Sequence, residues 1–197
     1  MPRKAHGFSL VELLVVMAIV LILYASMYGP SSASGQAKRR AQCAQQLKQM
    51  HLMLTLFAGE HDGAFPAARG STSEGALSQL VPLYTTDTSV FICPGSGRAA
   101  LPGAQPFADG RISYAYCAGL KSDADPAAML VADALANTRA KLNGDTIFST
   151  TGAAPGNNHR ASGGNILFVD GHVEMHGPIA PRALPIPPGA TLLNPKP

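Results

Sequence analysis

The chain has 197 residues, 46% of them hydrophobic and only 14% charged, with a formal net charge of +3. That length accommodates one modest folded domain beside a single helical segment. The mild charge, with Lys38-Arg39-Arg40 as its basic cluster, argues against a nucleic-acid partner, which calls for a concentrated basic patch.

An apolar run over residues 8–28 follows Arg3 and Lys4. Its length is close to the ~20 residues a helix needs to cross a hydrocarbon core. The run contains one carboxylate, Glu12, near its start. A carboxylate in membrane-length apolar sequence is costly and calls for a partner. A cleaved secretory signal would have a shorter, purely apolar core and a small-residue cleavage site, which Ala25-Ser26-Met27 supplies poorly. Basic residues flank the run on both sides, so the charge rule alone leaves its orientation open.

Gly29-Pro30 predicts a break just past the run, because proline removes a helix hydrogen bond and restricts the residue before it. Helix resumes at Ser32 or Ser34. There Cys43, Leu47, Met50, Leu54 and Phe57 recur at steps of three and four, opposite Lys38, Gln42, Gln45 and Gln49. This stripe predicts a helix laid on a sheet. Gly59, then Asp62-Gly63 and Pro66, end it.

The middle of the chain is rich in glycine and proline, which predicts short strands and long connections. Residues 77–84 read as a short helix or turn after Ser73-Glu74. Strands are expected at Val90-Phe91-Ile92-Cys93-Pro94, over residues 112–117, and at Met129-Leu130-Val131-Ala132-Asp133. Asp170-Gly171 between Asn165-Ile166-Leu167-Phe168-Val169 and His172-Val173-Glu174-Met175-His176 predicts a hairpin with a two-residue turn. That register pairs Leu167 with Glu174. It gives Ile166, Phe168, Val173 and Met175 an apolar face toward the helix and leaves His172, Glu174 and His176 on the more exposed face. Residues 178–197 contain seven prolines and read as an extended, weakly ordered or surface-clinging tail.

Cys43, Cys93 and Cys117 are an odd count, allowing at most one internal disulfide. In an exported domain Cys93–Cys117 is the favoured pair, since Cys43 sits on the helical stripe. The other reading is three buried small hydrophobes. A zinc site of Cys93, Cys117 and a histidine lacks paired ligand spacing. His159, Asp170 and His172 are the remaining metal candidates, together with His176 and Asp133. His172 and His176 on one strand lie about 13 Å apart, too far to share one ion. Asp123-Ala124-Asp125-Pro126 offers oxygens for calcium but lacks the glycine and distal glutamate of an EF-hand loop. No cofactor is therefore expected, zinc and calcium being the ions worth weighing. No nucleophile elbow, phosphate loop or His-Glu-x-x-His helix is present, so no enzymatic activity is expected.

The start of the chain, Gly7-Phe8-Ser9-Leu10-Val11-Glu12, resembles the type IV pilin and pseudopilin signal. The resemblance implies cleavage between Gly7 and Phe8 by a prepilin peptidase, methylation of Phe8, and an assembly role for Glu12 against a neighbouring subunit. It also implies an inner-membrane protein whose leader stays cytoplasmic and whose remainder is exported. Phe91-Ile92-Cys93-Pro94, Ser113-Tyr114-Ala115-Tyr116 and His159…Asp170-Gly171-His172-Val173 are similar to the prepilin-type processing-associated proteins with a histidine before a C-terminal Asp-Gly. That group has nine intervening residues, whereas ten separate His159 from Asp170 here. The expected fold class is α+β, a long N-terminal helix packed on a small antiparallel sheet. Its expected divisions are a leader (1–7), a transmembrane helix (8–28), an amphipathic helix (29–60), an extracytoplasmic domain (61–177) and a proline-rich tail (178–197). Expected partners are the inner membrane, the peptidase, copies of itself or other pilin-like subunits, and a pilus or secretion assembly platform. The competing expectation is a membrane-anchored binding module that never polymerises.

Overall fold

The computed structural model describes residues 9–28, 32–107 and 110–197, with side chains described at 9–24, 35–107 and 110–197. Two compact units divide at Gly35 and Gln36. In the first, helix α1 spans Leu10–Tyr28. Its large apolar side chains are exposed from Leu10 to Tyr24, and Glu12 is the charged residue among them. Nineteen residues at about 1.5 Å each give a helix of roughly 28 Å. Among the described residues, no helix is long and apolar enough to cross a membrane. The described side chains of α1 stop at Tyr24. The expected break at Gly29-Pro30 lies outside the described residues.

The second unit is an α+β domain. Helix α2 spans Ser32–Glu60, and its expected stripe of Cys43, Leu47, Met50, Leu54 and Phe57 is buried, joined by Met53 and Ala58. Each fully buried large apolar side chain contributes about 1.5–3 kcal/mol of transfer free energy. The helix ends where Gly63 N–H donates to the Ala58 carbonyl at 2.9 Å, with Asp62 and Gly63 both at positive φ. A short helix α3 (Ser73–Leu77) continues into a 3-10 turn at Ser78–Leu80, earlier than the sequence pattern suggests. Residues Thr88–Phe91 form a second 3-10 turn in place of the expected strand. Asp87 is responsible, its carboxylate accepting from Ser89 N–H at 2.9 Å and closing the chain into a turn.

The antiparallel sheet runs in the order β4-β3-β2-β1-β5, from β1 (Tyr114–Ala118), β2 (Met129–Asp133), β3 (Gly164–Phe168), β4 (Val173–His176) and β5 (Thr191–Leu193). The three central strands are buried at every position, so both faces of the sheet are covered. Tyr114 and Asp133 are cross-strand partners, and both touch Cys43, which places α2 over that face. Arg40 of α2 reaches past the β3 end, donating to the Ser162 and Gly164 carbonyls at 2.9 Å and also to that of His176.

The β3–β4 hairpin is present with its register one residue away from expectation. Leu167 pairs with Val173 and Ile166 with Glu174. The turn has three residues, Val169, Asp170 and Gly171, closed by Phe168 N–H on the His172 carbonyl at 3.0 Å, with Gly171 at φ 88°. A left-handed glycine in the last loop position suits this three-residue hairpin. A one-residue slip reassigns every cross-strand pair. Glu174 shares its strand face with His172 and His176, which it meets at 3.2 Å and 2.8 Å, and in this register His176 is buried rather than exposed. Phe168, opposite Leu167 in the alternation, stacks on His172 and lies under Arg182.

The proline-rich tail is extended as expected, but it is stitched into the domain. Its strand β5 pairs with β1, and the Asn194 side chain both accepts from and donates to the backbone of Leu135. Between its prolines the tail also pairs Leu184 with Lys141 and Ile179 with Thr146, and only Thr191–Leu193 forms a strand, at the sheet edge where prolines nearby are tolerated.

Burial separates two leucines on one helix. Leu47→Ala is expected to cost about 2–5 kcal/mol in urea unfolding. Leu52, 62% exposed, is expected to change stability by less than about 0.5 kcal/mol when replaced by alanine.

Candidate functional site

Two groups of residues carry chemistry. The first is the start of α1. Glu12 Oε2 accepts from Ser9 N–H at 3.0 Å, and Ser9 Oγ accepts from Val11 N–H at 3.4 Å. This is a reciprocal capping box, in which a serine before the helix and a glutamate three positions on satisfy otherwise orphaned N–H groups. Ser9-x-x-Glu12 is its sequence signature, and it supplies a local role for Glu12 beyond an assembly role. Gly7 and Phe8, the expected processing and methylation positions, lie outside the described residues.

The second group is buried beneath α2. Cys43, Cys93, Asp133 and His159 bring one donor atom each to within 4.8 Å of the others. Cys43 comes from the sheet-facing stripe of α2. Cys93 follows the 3-10 turn Thr88–Phe91, and its Sγ accepts from Gly95 N–H at 3.3 Å. Asp133 ends β2, and His159 precedes β3. Cys43 Sγ is 3.3 Å from Asp133 Oδ1 and 3.0 Å from Tyr114 Oη. His159 Nε2 is 3.3 Å from both Cys93 Sγ and Asp133 Oδ2.

Asp133 is held by three further donors. Asn158 Nδ2 donates at 2.8 Å, Asn165 N–H at 2.8 Å and Asn165 Nδ2 at 3.0 Å. Burial pushes the Asp133 carboxyl upward, but the His159 contact and the Asn158 and Asn165 donors outweigh it and hold the group below its usual range. Burial likewise works against a charged His159, yet Asp133 and Cys93 bring it up to about 9. Burial disfavours the Cys93 thiolate, while the Cys43 hydrogen bond and the His159 charge carry its net shift downward. For Cys43 burial dominates and keeps the thiol protonated, far above its usual range.

This arrangement corrects two expectations. Cys93 and Cys117 are not joined, since all three cysteines are free. Strand alternation is the reason: Tyr114 and Tyr116 share one face of β1, and Cys117 points to the other, away from the Tyr114 side that meets Cys43. His159 also does not meet Asp170 and His172. Those two are exposed at the hairpin turn and contact each other, and Asp170 accepts from the His172 backbone N–H at 3.0 Å. Asp125, a calcium candidate, caps its own turn by accepting from Ala127 N–H at 2.9 Å. The sequence pattern concealed Cys43, and left Cys93 and Asp133 in separate metal readings, because the four donors come from four distant segments with no Cys-x-x-Cys pair to mark them. The usable signals were a cysteine on a sheet-facing stripe and the tight Cys93-Pro94-Gly95 turn.

Residues 2–28 match the family model for the prokaryotic N-terminal methylation motif. That match supports a type IV pilin-like protein processed by a prepilin peptidase and anchored at the inner membrane. No curated protein and no solved structure matches the chain.

Gly95 packs against the cluster without room for a side chain. A Cβ there would lie 2.4 Å from the Asn158 carbonyl oxygen and 2.6 Å from His159 Nδ1. Gly95→Ala is therefore expected to cost about 1–3 kcal/mol in urea unfolding. Gly103→Ala, with nothing within 4 Å of the added carbon, serves as the near-neutral comparison.

Proposed function

We propose that the chain is a structural subunit of a type IV pilus or a type II secretion-like pseudopilus, acting by assembly rather than catalysis. The observation that carries this reading is the methylation motif over residues 2–28, coincident with a helix whose described apolar surface is exposed and interrupted by Glu12 alone. Residues 1–7 are the leader, cut after Gly7, and Phe8 is the methylated terminus. Residues 8–28 anchor the chain in the inner membrane with its N-terminus cytoplasmic. The α+β domain lies outside the membrane on the far side. His159, ahead of β3, and Asp170-Gly171 at the β3–β4 turn support placement among the processing-associated pilin-like proteins, despite the ten-residue spacing.

Glu12 faces two demands on this reading. Within one chain its carboxylate caps α1. In a filament it meets the amine of a neighbour's Phe8, where apolar surroundings make charge pairing decisive. Glutamine fills the capping role of glutamate but carries no charge, so the two demands separate experimentally.

Glu12→Gln is expected to leave leader cleavage and α1 intact and to abolish filaments seen by electron microscopy. Removing one partner of a buried ion pair costs about 3–5 kcal/mol per contact. Ser9→Ala, which loses only the cap at about 1 kcal/mol, is expected to assemble. Normal filaments from Glu12→Gln would refute the assembly role, and a chain that is processed yet never polymerises would favour a membrane-anchored binding module. Intact mass and N-terminal sequencing of the mature protein are expected to give a methylated Phe8; a chain still beginning at Met1 would overturn the processing.

A further inference from the structure

The buried cluster has the geometry of a coordination sphere. One donor atom from each of the four residues lies within 4.8 Å of the others; His159 Nε2 is 3.3 Å from Cys93 Sγ and from Asp133 Oδ2, while Cys43 Sγ is 3.3 Å from the other carboxylate oxygen, Oδ1. Four donors placed tetrahedrally on bonds of about 2.0–2.3 Å stand about 3.3–3.8 Å apart. The four residues are at most 1% exposed.

Two other uses of these residues fit less well. A Cys-His-Asp catalytic arrangement engages the two ring nitrogens separately, one on the nucleophile and one on the carboxylate. Here Cys93 and Asp133 both converge on Nε2, while Nδ1 is buried with no hydrogen-bond partner among the described residues. A purely hydrogen-bonded network does not require a second thiol at Asp133, which already has three N–H donors. An outer contact suits a thiolate ligand at Cys93, whose Sγ accepts from Gly95 N–H.

We infer that Cys43, Cys93, Asp133 and His159 bind one zinc-class divalent cation in a closed, four-coordinate structural site. Two thiolates and an imidazole select a borderline-soft metal, whereas calcium and magnesium require oxygen donors. Four protein ligands with no solvent access leave no open position for substrate, so the ion's role is to hold structure. It ties α2, the Cys93 turn, the end of β2 and the loop before β3 at a single point. The inference concerns the folded domain and is independent of whether the chain forms filaments.

The test uses the full-length chain, purified in detergent from cells grown with added zinc, with metal measured by mass spectrometry and X-ray absorption. About one zinc per chain is expected, with two sulfurs near 2.3 Å and two nitrogen or oxygen ligands near 2.0 Å. Cobalt substitution is expected to give thiolate charge-transfer bands and the intense visible bands of a tetrahedral site. Cys93→Ser and Asp133→Asn are each expected to lower zinc content at least about tenfold at fixed free zinc. His159→Cys replaces one ligand by another, and it is expected to keep the metal and add a third sulfur to the absorption spectrum. That variant separates loss of ligation from loss of folding. A folded wild-type chain holding less than about a tenth of an equivalent of zinc would overturn the inference. So would zinc content indifferent to Cys93→Ser and Asp133→Asn, or an intact mass showing Cys43 and Cys93 oxidised to a disulfide.

Discussion

A fully buried carboxylate organises the folded domain. Asp133 stands at the end of the middle strand, and burying its charge without partners would cost several kcal/mol. Its partners come from every layer: the Cys43 thiol from α2, Asn158 and His159 from the loop before β3, and Asn165 from β3 itself. Each satisfies part of the carboxylate only when its own segment is in place. The position of α2 on the sheet, the path of the loop into β3 and the β2–β3 pairing are therefore coupled through one side chain.

The surrounding contacts reinforce that coupling. Arg40 donates to three backbone carbonyls from the β3 approach and the end of β4, while Asn165 Nδ2 returns a hydrogen bond to the Arg40 carbonyl. About three turns further along the helix, His51 Nε2 lies 3.0 Å from the Val169 carbonyl at the hairpin turn. Helix α2 is thus held to both ends of β3 by polar contacts, with Cys43, Leu47 and Met50 of the apolar stripe between them. On the opposite edge, β5 and the Lys196 N–H bond to Glu74 bring the tail against β1 and α3. With both faces covered, β1, β2 and β3 are buried throughout rather than alternating.

The N-terminal motif places its own demand on the same chain. A helix with apolar residues all round has no preferred face of its own, so its polar instructions are concentrated at its start. Ser9 and Glu12 supply them, first as a cap that begins the helix and, on the proposed reading, as the charge that sets one subunit against the next. The domain that follows is free to specialise, because its core depends on Asp133 and α2 rather than on the motif.

What the sequence determined by itself was local. The apolar run with Glu12, the α2 stripe from Cys43 to Phe57, the strand at Met129–Asp133 and a turn at Asp170-Gly171 are each legible because periodicity and turn chemistry act over a few residues. Tertiary structure decided the rest. The hairpin loop holds three residues with its Val169 carbonyl against His51 of α2, and that register reassigned the faces of Glu174 and His176. The proline-rich tail became an edge strand because β1 offered it an unpaired side. Cys43, Cys93, Asp133 and His159 meet only after four distant segments pack together, and no spacing along a chain records a convergence made in three dimensions.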